Sequence, residues 1–139
     1  MKKLILILLF PIFMNAQVEY FTALNFQNNI RSYYNLDLLS YDKELSNKAQ
    51  AWANHIAATN NFTHEDDLYG ETIYALDKEY YNQQVNYILD AVVHWTLSED
   101  DNRVPFYQMI YPDISKVGFG ISENAESIFV VAKYDKIYQ

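Results

Sequence analysis

His64 and Glu71 bracket the segment HEDDLYGE and offer an imidazole nitrogen and a carboxylate, two of the groups that hold a divalent ion such as zinc. A zinc site takes at least three ligands from the protein, so the pair needs a third. His94 or Glu99 would supply it if the end of their helix turned inward, although His94 adjoins Trp95 and reads equally well as a packed or surface histidine. Without a third ligand the pair is a hydrogen bond that ties a loop to a strand. The clusters Glu65, Asp66, Asp67 and Glu99, Asp100, Asp101 offer oxygen ligands of the kind calcium or magnesium takes. Neither has the spacing of a calcium-binding loop, and acidic clusters in loops are ordinarily solvated. Ser98 with a distant histidine would make a nucleophilic pair, but nothing like a nucleophile elbow surrounds it.

These residues lie at the junctions of regular elements. Phe26, Ile30 and Tyr33 recur at helical spacing and predict a first helix over 22–35, with Arg31, Asn28 and Asn29 on its other faces. Asp42 is placed to cap a second helix, whose stripe of Leu45, Ala49, Trp52 and Ile56 runs to about Asn60. Asn61, Phe62 and Thr63 spell a glycosylation sequon, or more plainly cap that end locally. Val85, Ile88, Val92 and Trp95 predict a third helix over 79–97, leaving through the solvated SEDDN loop. KVGFGIS and IFVVAKY, separated by the polar ENAES, predict an antiparallel hairpin, and ETIYAL at 71–76 a further strand. Helices first and paired strands last suggest an α+β sandwich rather than βαβ units.

Composition narrows the setting. Lys2 and Lys3, an apolar run from Leu4 to Phe13, and Met14, Asn15 and Ala16 read as a signal peptide over 1–16, leaving a single domain over 17–139. The run is too short to span a membrane. Cleavage would remove two lysines and no acid, taking the net charge from −8 to about −10 and arguing against nucleic acid as a partner. With no cysteine, the fold must be held by packing, and 13 tyrosines and 8 phenylalanines can supply it. Tyr69, Tyr74, Tyr80, Tyr81 and Tyr107 carry two readings side by side: packing mass, or the lining of a ligand cleft.

Arg31, then Leu39, Tyr41, Asp42, Leu45, Ala49, Gln50, Trp52 and Ala53, then FTH, GETIY, Trp95 and the closing hairpin resemble, in order, the cysteine-rich secretory, antigen 5 and pathogenesis-related proteins, the CAP or SCP family. The resemblance implies a three-layer α-β-α sandwich with a small antiparallel sheet between helices. It also implies a cleft above the sheet where many members place two histidines and two acids that bind a divalent ion. Here His64 and Glu71 match the first histidine and the Gly-Glu signature. Ser98 stands where a glutamate is common, and Pro105 stands where the second histidine is due. Proline has no side-chain ligand, so the metal set is reduced to His64 and Glu71.

The expectation is therefore a secreted CAP-like domain, non-enzymatic and without a cofactor, that binds an extracellular lipid, glycan or protein through its cleft. The alternative is a hydrolase that uses His64, Glu71 and a divalent metal, zinc being the ion considered. No segment spans a membrane, and the lack of a lipidation cysteine favours release.

Overall fold

Asp42 starts the helix on which the sheet rests: its Oδ1 accepts from the Leu45 N–H at 2.8 Å, and the chain is helical over Lys43–Thr59 (α2). Asn60, at φ 54°, ends the helix in the left-handed region, and Asn124 Nδ2 donates to its side-chain oxygen. The closing residue is thus Asn60, not Asn61 or Thr63. The computed structural model describes residues 5–98 and 103–139, with side chains described from Glu19 onward. Glu99, Asp100 and Asp101 lie outside the described residues.

The first helix, α1, runs over Ile5–Tyr33 rather than from 22. No glycine or proline stands between Ile12 and Tyr33 to stop it. Of the leader expected at 1–16, residues 1–4 are not described and 5–16 form the first turns of α1. Its most buried residues are Ala23, Leu24, Gln27 and Arg31; Phe26 and Ile30 of the expected stripe pack half-buried against the same core and line a groove of about 430 Å³ beside Phe106, while Tyr33 is exposed. Arg31 is inward because backbone carbonyls satisfy it: Nε donates to Asp37 O at 2.7 Å, Nη1 to Met109 O and Tyr111 O, and Nη2 to Ile114 O.

The sheet contains β1 (Ser40–Tyr41), β2 (Gly70–Asp77), β3 (Lys116–Glu123) and β4 (Ser127–Tyr134), in the spatial order β1-β3-β4-β2. β3 and β4 form the expected hairpin, and β2 pairs antiparallel with β4. β1, too short to leave a pattern in the sequence, adds a parallel edge to β3. α2 covers one face through Ala49, Ala53 and Ile56 against Phe129 and Val131. α1, α3 (Tyr87–Leu97) and α4 (Val104–Met109) cover the other, around Tyr74, Val117, Phe119, Val130, Ala132 and Tyr134. The result is an α-β-α sandwich with a core on each side of the sheet. Gly118 lets α2 approach β3: a Cβ there would meet the backbone of Leu45 and Ser46.

α3 begins later than the predicted 79–97. Lys78–Tyr80 form a short 3-10 turn, and Asn86 caps the helix proper by accepting from the Leu89 N–H at 3.0 Å. The intervening chain folds back locally, Asn82 Oδ1 accepting from Gln84 N and the Tyr87 hydroxyl donating to Asn82 O. Val85 is left exposed, outside the stripe of Ile88, Val92 and Trp95 that is buried.

Candidate functional site

β2 is an edge strand, and its outer rim is where the site forms. Trp95, on the buried face of α3, donates its indole N–H to Ile73 O at 2.9 Å, so the helix end is fastened to the strand edge. Beyond that contact lies a cleft of about 340 Å³. All four positions singled out from the sequence border it: His64 from the loop before β2, Glu71 from β2, Ser98 at the end of α3 and Pro105 from the first turn of α4. His94 joins them, with its ring 5.1 Å from that of Tyr74, and Ile73, Trp95 and Val104 supply apolar wall. The expected tyrosine lining does not form here. Tyr74 is buried and donates its hydroxyl to Asp90 at 2.7 Å, Tyr81 borders a separate pocket with Tyr87, and Tyr80 is exposed. Burial, with the Asp90 hydrogen bond and charge added, pushes the Tyr74 hydroxyl far above its ordinary pKa.

His64 and Glu71 are bonded, His64 Nδ1 lying 2.8 Å from Glu71 Oε1. A carboxylate oxygen accepts, so Nδ1 carries the proton; in the neutral ring Nε2 then holds the free lone pair. The imidazole is 64% exposed and the carboxylate 4%. The same Oε1 accepts from the Glu65 N–H at 3.1 Å, which pulls the loop onto the strand.

The other carboxylate oxygen meets a residue that the sequence reading passed over. Lys133 of β4 is directly opposite Glu71 in register, and its Nζ lies 2.7 Å from Glu71 Oε2, 2.7 Å from Asp67 Oδ2 and 2.8 Å from Glu65 Oε2. The contact to Oε2 is an ion pair rather than an aligned hydrogen bond. The lysine side chain has no exposure to solvent at all. Burial alone would lower the pKa of this ammonium, but Asp67, Glu65 and Glu71 outweigh it and hold the value above that of an ordinary lysine. Glu65 and Asp67, expected as part of a solvated cluster, are thus engaged, and Asp66 alone of the three is exposed. A signal for Lys133 was present in IFVVAKY: alternation puts it on the face of Phe129 and Val131, and a lysine on a buried face needs carboxylates.

The donor set does not suit a divalent ion. Ser98 offers a neutral hydroxyl, Pro105 offers nothing, and Glu71 has His64 on one oxygen and Lys133 on the other. Among the described residues no three His, Cys, Asp or Glu side chains are grouped to hold a metal ion. Nor does Ser98 hydrogen-bond His64 or His94, as a nucleophilic pair requires for activation.

The chain belongs to the cysteine-rich secretory protein family, whose pattern it matches over residues 24–134. Its fold is shared by MpPR-1i, 24% identical with a TM-score of 0.60 over 85% of this chain and 87% of that one. It is shared also by an extracellular SCP-domain protein of Bacillus anthracis, 19% identical with a TM-score of 0.59 over 83% and 39%. NaASP2, in a structure with Zn2+, is 18% identical with a TM-score of 0.57 over 71% and 60%. No curated protein sequence matches the chain. Among the described residues no helix is long and apolar enough to cross a membrane.

Proposed function

We propose that residues 1–16 direct export and that residues 17–139 act outside the cell as a non-enzymatic binding domain, taking a small ligand or a protein segment in the cleft. The observation that carries this reading is the state of Glu71. The cleft keeps its walls, while the carboxylate that would serve a metal or act as a base is held by His64 and Lys133. What remains for a ligand is an apolar wall of Ile73, Trp95 and Val104 with polar groups from His64, His94 and Ser98, a mixture that suits recognition. The extracellular SCP-domain relative supports the location. The hydrolase alternative, acting through His64 and Glu71, would have to break the Lys133 contact first.

Arrays of glycans, lipids and peptides probed with the wild type and with Ser98→Trp, which fills the cleft, test this reading. Ligands found with the wild type should lose at least about tenfold in affinity for Ser98→Trp, a change of about 1.4 kcal/mol, with the melting temperature little changed. Equal binding by both proteins, or turnover of a substrate that vanishes in His64→Ala, would overturn it.

A further inference from the structure

We infer that Lys133 is a resident cation behind the cleft residue Glu71, an ammonium that gathers the acidic loop and Glu71 as a bound divalent ion would. Lys133 Nζ lies 2.7 to 2.8 Å from three carboxylates, hydrogen-bonded to Asp67 and ion-paired with Glu65 and Glu71, so one positive charge serves three negative ones. The partners come from separate places, Glu65 and Asp67 from the loop and Glu71 from β2, and the lysine reaches all three from β4. It therefore staples the loop to two strands at once. With no solvent at the ammonium, the attraction is weakly screened, and removing the charge would leave three carboxylates crowded around one point.

The consequence concerns assembly. A cleft whose one carboxylate and adjoining loop are gathered by a protein cation forms without loading an ion and does not come apart in a chelator. This goes beyond the binding reading and does not depend on what the cleft takes.

The test begins with wild-type protein purified without chelator. Metal analysis should find no stoichiometric ion, and excess EDTA or added zinc should leave the melting temperature unmoved. Lys133→Ala should melt lower and exchange the backbone amides of residues 65–69 faster. Millimolar calcium or manganese should restore its melting temperature by about 3 °C or more, with no effect on the wild type. Stoichiometric metal in the wild type that Glu71→Gln releases would overturn the inference. So would a Lys133→Ala protein with unchanged loop exchange, or one indifferent to both cations. If Lys133→Ala does not fold, Asp67→Asn takes its place: faster exchange at the loop amides is expected, and unchanged exchange refutes the staple.

Discussion

Trp95→Phe isolates the contact that builds the cleft wall. The indole is 1% exposed and its N–H reaches Ile73 O on the free rim of β2. Complete truncation of a buried tryptophan costs about 3–5 kcal/mol, and phenylalanine retains most of the ring, so the packing loss is on the order of 1–2 kcal/mol. The orphaned carbonyl adds about 1 kcal/mol, at the low end because Ile73 borders the cleft and water can reach it. The sum, roughly 2–3 kcal/mol, is a large share of the stability of a domain this size and corresponds to a fall of about 10 °C in melting temperature. Circular dichroism gives the midpoint. Trp52, the one other tryptophan, then serves as an unshared fluorescence reporter from the opposite core. A fall of less than about 3 °C would show that the indole neither bonds the strand nor fills its site, and the account of the cleft would fail with it.

Two other contacts, at Asp135 and Gly118, can be tested in the same way. Burial pushes the Asp135 carboxyl up, but hydrogen bonds from the Ser115 hydroxyl and the Ser115 and Lys116 N–H groups prevail and hold it below the ordinary 3.8. A carboxyl depressed in the folded state stabilises above its unfolded value and loses that contribution as pH falls through the folded one. The melting temperature of Asp135→Asn should therefore decline less steeply than wild type below about pH 4, and parallel curves would refute the assignment. Gly118→Ala should cost about 1–3 kcal/mol in urea unfolding, because its methyl meets backbone of α2 that cannot rotate aside. Wild-type stability in that variant would mean that α2 does not pack as closely as described.

Elements with unbroken periodicity were legible in the sequence: α2 with its Asp42 cap, β2, and the β3–β4 hairpin lie within a residue or two of their predicted bounds. Polar residues inside the core were not. Arg31 was placed on a face away from Phe26 and Ile30, yet it is buried, and apart from the nearby Asp37 O its partners are carbonyls about eighty residues away that no local pattern announces. The start of α3 was misplaced because Val85 continues the apolar spacing, while the true start is set by Asn86 as a cap. At the site, residue types and spacing gave the His64–Glu71 pair, and the resemblance to the CAP family gave the cleft that His64, Glu71, Ser98 and Pro105 border. Lys133 was not found, because its meaning depends on the strand register that sets it against Glu71.

The placement of Arg31 also bears on the order in which the chain is made. Its guanidinium waits for carbonyls 78, 80 and 83 residues further on, and β2 has no sheet neighbour until β4, the last strand, arrives. A nascent chain shorter than about 115 residues holds neither the carbonyl of Ile114 nor any partner for β2. The inner end of α1 and the edge strand that carries Glu71 therefore share one requirement, the arrival of chain more than fifty residues beyond each of them.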